Sequence, residues 1–124
     1  MTAYSRADRV GGLIQQILSE MLQRDISDPR LHMVTITRVS LTKDLRLARV
    51  YFAAAGGKPS AEDAARGFQS AAGFIKRRLG PQLGLRYMPE LEFYYDESFD
   101  YGARIDQLLK SIAASGDEPD HSND

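Results

Sequence analysis

The sequence predicts a two-layer α+β domain in which helices cover one face of a three-stranded sheet. Three observations lead there. A long apolar stripe at helical spacing opens the chain, two β-branched runs joined by a short turn follow it, and one further alternating run lies between a second helical region and a last one. Three strands cannot bury themselves, so the helices belong on one sheet face. The chain has 124 residues, 43% of them apolar, with no Cys and no Trp, which calls for one domain and one core without disulfide staples. The domain is expected over residues 1–113, and the small, polar and acidic stretch 114–124 is expected to be a disordered tail.

Taken in order, Ser5 caps a first helix, with Asp8 placed to meet the exposed amides of its first turn. Val10, Leu13, Ile14, Ile17, Leu18, Met21 and Leu22 recur at helical spacing and form its core face. Arg6 and Arg9 extend the same rows by one turn, so they emerge at the edge of the packed surface. Asp28-Pro29-Arg30 is a loop, because proline cannot continue the helical pattern.

Residues 34–41 read as a strand whose alternation slips between Ile36 and Val39, which predicts a bulge or bend near Arg38. Thr42-Lys43-Asp44 turns the chain, and residues 46–53 return with Ala48, Val50 and Phe52 on one face and Leu47, Arg49 and Tyr51 on the other. Ser60 and Asp63 read as the cap of a second helical region with a stripe of Ala64, Ala65, Phe68, Ala72, Ile75 and Leu79. Gly73 inside it predicts a kink, and Gly80-Pro81 predicts its end. Leu91, Phe93 and Tyr95 alternate with Glu92 and Tyr94 in a third strand. Asp100 caps a last helix carrying Ile105, Leu108, Leu109 and Ile112. The open sheet face would show Thr35, Thr37, Arg49, Tyr51, Glu92 and Tyr94.

A net charge of −1 conceals a strong asymmetry. Residues 1–86 hold 14 Lys or Arg against 7 Asp or Glu, whereas residues 87–124 hold 2 against 10. Such halves suit a surface for a polyanion beside an acidic end, although charges that merely solvate opposite faces give the same count. Arginine supplies 12 of the 16 cations, a choice suited to phosphate.

Catalysis has little to work with. The two histidines are His32, beside a loop, and His121, in the expected tail, and there is no nucleophile elbow, Walker loop or dinucleotide fingerprint. Glu90, Glu92 and Asp96 on one strand read as a solvated edge rather than a metal site. No catalytic residue, no metal and no cofactor is expected. No apolar stretch approaches the ~20 residues of a membrane span, so a cytoplasmic protein is expected.

The kink carries the better lead. A break at Ala71-Ala72-Gly73 would bring free amides of a helix start close to Lys76 and Arg77, which is how a protein holds a phosphate. The same stretch also reads as small residues that permit tight helix packing beside a solvated basic face.

The order helix, strand, strand, helix, kink, helix, strand resembles a type II KH domain. A short Ala-x-Gly kink in place of that domain's longer Gly-x-x-Gly loop resembles the ribosome-binding factor A family. The likeness continues through Arg6 with Arg9-Val10, Ser27-Asp28-Pro29-Arg30, Val34-Thr35-Ile36-Thr37, Lys43-Asp44-Leu45 and Ala48-Arg49-Val50-Tyr51. It goes on through Leu79-Gly80, Leu85-Arg86-Tyr87-Met88-Pro89-Glu90-Leu91, Phe93, Asp96-Glu97-Ser98, and Arg104-Ile105 to Leu108-Leu109, in the family's order. It spans residues 5–112 and implies a type II KH-like fold with an extra C-terminal helix.

What the resemblance implies for function is a bacterial assembly factor. It would bind the small ribosomal subunit and its ribosomal RNA and aid late rRNA processing and subunit maturation, with importance at low temperature. A monomer with no membrane partner is expected. The expected RNA contacts are Arg6, Arg9, Arg30, Lys43, Arg46, Arg49, Lys76, Arg77 and Arg86, with the backbone at Ala71 and Gly73. Arg86 has an alternative reading, as the partner of a carboxylate in the acidic third that serves structure. Two rival readings are an RNA module that stacks single strands on Tyr51 and Tyr94 of the open sheet, and a protein-binding module that uses the first helix.

Overall fold

A computed structural model describes residues 4–98 and residues 108, 109 and 112 of the chain. Helix α1 (Arg6–Arg24) starts as expected. The Ser5 hydroxyl accepts from the Asp8 amide at 3.1 Å, and the Asp8 carboxylate accepts from the Ser5 amide at 3.1 Å, closing a capping box. Its stripe is buried from Val10 to Leu22, and only Leu13 lies at the rim. Gly11 is buried with it, and a Cβ placed there would lie 3.0 Å from the Val39 carbonyl oxygen. Glycine at this position lets the helix lie close against the sheet.

A single 3-10 turn (Pro29–Leu31), capped by Asp28, drops Leu31 into the core. Strands β1 (Val34–Leu41) and β2 (Leu47–Ala54) pair antiparallel, and β3 (Glu90–Tyr95) joins β2 in parallel, giving the order β1-β2-β3. The parallel pairing requires a crossover, which helix α2 (Lys58–Leu83) supplies. The expected bulge is present: Ile36 pairs with Phe52 and Arg38 with Tyr51, leaving Thr37 as the extra residue. The Ile36 carbonyl accepts from the Gln15 side chain at 3.2 Å, which ties the bulge to α1.

Helix α2 departs from expectation at three points. It begins at Lys58, two residues before the expected Ser60 cap, because Pro59 suits a first turn, and Gly57 precedes it without a side-chain cap. It passes through Ala71-Ala72-Gly73 without leaving helical conformation. Gly80 and Pro81 do not stop it either. The helix ends at Leu83, where Gly84 adopts the left-handed conformation at φ 65°. Burial decides the outcome. Phe68, Ile75, Leu79 and Leu83 are all buried, and each contributes about 1.5–3 kcal/mol, against about 1 kcal/mol for each helical glycine and about 3 kcal/mol for proline.

Both helices pack on one sheet face, against Ile36, Ala48, Val50 and Phe52 with Leu91, Phe93 and Tyr95 beside them. Phe68 stacks on Phe93 at 4.2 Å between ring centres. On the other face Thr35, Arg49, Glu92 and Tyr94 are exposed as expected, while Thr37 and Tyr51 are half-buried. The expected last helix lies outside the described residues except for Leu108, Leu109 and Ile112, which are helical and exposed. The tail 114–124 lies outside them entirely.

Candidate nucleic-acid interface

Three chain segments meet at the end of the sheet where α1 begins. They are Arg6 of α1, the β1–β2 turn with Asp44, Leu45 and Arg46, and the link from α2 to β3 with Leu85, Arg86, Tyr87 and Met88. Together with Glu90 they line a cleft of about 530 Å³. The turn closes through the Leu45 amide, which donates to the Thr42 carbonyl at 2.9 Å, and Leu45 takes a positive φ of 63°. The Asp44 carboxylate accepts from the Thr42 hydroxyl at 2.7 Å and from the Arg46 amide at 3.1 Å. Those bonds hold its pKa below the usual carboxylate value, the hydroxyl bond most of all.

Asp44 is therefore held chiefly by neutral donors of its own turn, with a smaller contribution from the Arg46 charge. Glu90, the other carboxylate of the cleft, is bound by Lys76 at 3.2 Å. Arg6, Arg46 and Arg86 form no salt bridge among the described residues. Among the described residues Arg86 forms no salt bridge, and its guanidinium lies 5.7 Å from the Tyr87 ring centre. The cleft thus presents three guanidinium groups from three segments, none of them in a salt bridge among the described residues although Arg46 feels the nearby Asp44 charge, and their planar forks match phosphate oxygens.

The remaining expected contacts divide by place. Lys43 is exposed in the same turn, and Arg9 is exposed on α1, one turn beyond Arg6. Arg49 is exposed on the open sheet face. Arg30 lies elsewhere, against α2. Its guanidinium holds Asp28 through two nitrogens, at 3.0 and 2.7 Å, and also reaches the Ser70 hydroxyl at 3.4 Å. The pair lowers the Asp28 pKa and raises that of Arg30, chiefly through the side-chain hydrogen bonds between them. Arg77 folds back over Gly73, since a Cβ on that glycine would lie 3.3 Å from its guanidinium. Lys76 is tied to Glu90.

No free helix start exists at Ala71 and Gly73, so the expected phosphate-holding amides of a broken helix are absent there. The carboxylates on and just after β3 take separate partners, Glu90 meeting Lys76, Glu92 the Tyr94 hydroxyl, and Asp96 the Thr37 hydroxyl. Arg38 is missing from the expected contacts, yet its guanidinium lies 4.2 Å from the Tyr51 ring centre. Its pairing with Tyr51 is visible in the sequence only once the bulge is placed one residue before it.

No helix of the described residues is long and apolar enough to cross a membrane. The element order, the antiparallel β1–β2 pair and the parallel β3 define a KH-like α+β domain. A profile of the family Ribosome-binding factor A matches residues 6–109. The chain is 52% identical to Ribosome-binding factor A of Desulfatibacillum aliphaticivorans over 122 residues, covering 97% of this chain and 99% of that protein. It is 42% identical to that of Geobacter sulfurreducens, covering 88% and 92%. Among solved structures, ribosome-binding factor A from Thermus thermophilus superposes with a TM-score of 0.65 at 27% identity, covering 73% of this chain and 97% of that one. A homology model of the Thermus thermophilus protein fitted into the cryo-EM map of a 30S–RbfA complex gives 0.61 at 28% identity, covering 75% and 97%. The chain belongs to the ribosome-binding factor A family.

Proposed function

We propose that this protein binds the small ribosomal subunit through its ribosomal RNA and assists late rRNA processing and subunit maturation. It acts as a single copy, by binding rather than by catalysis. The observation that carries the reading is the cleft lined by Arg6, Arg46 and Arg86, none of them paired with a carboxylate among the described residues. Kinship with proteins named for ribosome binding, one of them fitted into a 30S complex, supports the choice of partner. Lys43 and Arg9 extend the positive end, whereas Arg30 and Lys76 act first as structural ion pairs.

Co-sedimentation with purified small subunits, intact or nuclease-treated, tests the reading. The combined variant Arg46→Ala with Arg86→Ala is expected to bind intact subunits more weakly. Its salt slope should be flatter by about 0.7–0.9 for each phosphate that the variant leaves unneutralised. Unchanged affinity and slope would remove the cleft from the interface. Cells lacking the protein are expected to accumulate precursor small-subunit rRNA, most visibly in the cold.

A further inference from the structure

We propose that the open face of the sheet carries a second RNA site, on which one unpaired nucleobase stacks against Tyr94. This rests on the reading that the protein binds RNA. The register places Arg38, Tyr51 and Tyr94 in one row across β1, β2 and β3. Their planar groups form a ladder: the Arg38 guanidinium lies 4.2 Å from the Tyr51 ring centre, and Tyr51 stacks on Tyr94 at 5.6 Å with 29° between planes. The bulge makes the row possible, because the extra residue Thr37 brings Arg38 opposite Tyr51.

The ladder ends at an edge. β3 is the last strand of the sheet, Tyr94 is 41% exposed, and among the described residues no ring other than Tyr51 and no cation stacks on its ring face. A base is the planar group that continues such a series. The Tyr94 hydroxyl donates to the Glu92 carboxylate, and this bond above all raises the tyrosine's pKa, so the ring is fixed in direction and keeps its proton. Arg49 pairs in register with Glu92, diagonal to Tyr94; it is exposed, in no salt bridge among the described residues, and interacts with the Tyr94 hydroxyl, which places its charge beside that ring. Its charge complements the phosphate of the nucleotide whose base stacks. A preformed ladder loses little side-chain freedom on binding, and stacking tolerates any base.

The test uses the full chain and single-stranded oligouridylate and oligoadenylate of about ten nucleotides. Tyr94→Leu keeps an apolar side chain but removes the ring, and it is expected to weaken oligonucleotide binding about 5- to 100-fold while leaving the salt slope unchanged. Tyr94→Phe should bind within about twofold of wild type, since the stacking face survives. In the wild-type protein the Tyr94 ring protons should shift upfield as oligoadenylate is added, a readout that stands even if the leucine variant fails to fold. Wild-type affinity in Tyr94→Leu, or a silent ring, overturns the site. If the Arg46 and Arg86 variant still loses subunit binding in that case, the RNA-binding reading survives without the stacking face. Loss of subunit binding in Tyr94→Leu with unchanged oligonucleotide affinity also overturns it, by giving the face to a ribosomal protein.

Discussion

The two helices that cover the sheet obey different rules. Helix α1 has strong local signals at both ends and along its face, namely a capping box at Ser5 and Asp8, a single apolar stripe, and an arginine in its last turn, and departs from helix preference only at Gly11 and Gly12. Helix α2 violates several of them, with no side-chain cap, with Gly73 and Gly80 in its interior and with Pro81 near its end, yet it runs unbroken for 26 residues. Local chemistry specifies the first helix, and the core holds the second. The functional geometry follows from the same division. Arg6 stands at the start of α1, and Arg86 lies just past the end of α2, so the cleft forms only where a locally determined end meets a tertiary one.

Two glycines break this comparison open. Gly11 in α1 faces a backbone carbonyl that cannot swing away, at 3.0 Å from a Cβ that would be added. Gly11→Val should therefore destabilise the fold by about 1–3 kcal/mol through overpacking against β1, the largest effect expected here. Equilibrium urea unfolding measures it, and an unchanged midpoint would show that α1 does not depend on this close approach.

Much of the architecture was legible because it rests on short-range patterns. The α1 stripe, the alternation of β2 and β3 and the bulge before Arg38 are of this kind, and sequence periodicity reports them directly. Legibility failed at Gly73, Gly80 and Pro81, where propensity argued for a break and the burial of Ile75, Leu79 and Leu83 overrode it. The cleft was only half legible. Arg6, Arg46 and Arg86 are visible as cations, but their convergence depends on three segments far apart in sequence. That Lys76 and Arg30 are tied to carboxylates depends on Glu90, fourteen residues from Lys76, and on Asp28, which also caps the 3-10 turn. The ladder needed the parallel register of β3, which no local pattern encodes.

The next effect down sharpens the contrast from the side of α1. Ser5→Ala removes the hydroxyl half of the capping box and should cost about 1 kcal/mol. No comparable loss is available at α2, whose start lacks a side-chain cap. Gly73→Ala should act in the opposite direction. The position is exposed helix interior, and a Cβ there meets only the tip of the Arg77 side chain, so the variant should be more stable by up to about 1 kcal/mol with unchanged subunit binding. A destabilised alanine variant would mean that the helix is held at this point by more than its buried face.

The smallest effect separates the polar turns of the first half from the apolar hold on α2. Asp28 and Asp44 both have pKa values lowered in the folded protein, Asp28 chiefly by its side-chain bonds to Arg30 and Asp44 chiefly by the Thr42 hydroxyl. A carboxyl whose folded pKa lies below its unfolded one contributes stability that is complete above the unfolded value, about pH 3.9, and is lost as pH falls through the folded value. Asp44 is exposed and Asp28 half-buried beside an exposed Arg30, so the contribution is small and confined to acid. Asp28→Asn combined with Asp44→Asn should slightly lower the urea midpoint at about pH 6 and shrink the further fall between there and about pH 3. Asp28 and Asp44 flank β1, whereas α2 is held by the buried Phe68, Ile75, Leu79 and Leu83, so acid should weaken the turns around β1 before it loosens α2. Amide exchange followed down the same pH range would show protection fading first near Asp28 and Asp44. Simultaneous loss across α2 would mean that the two halves of the fold are not separable in this way.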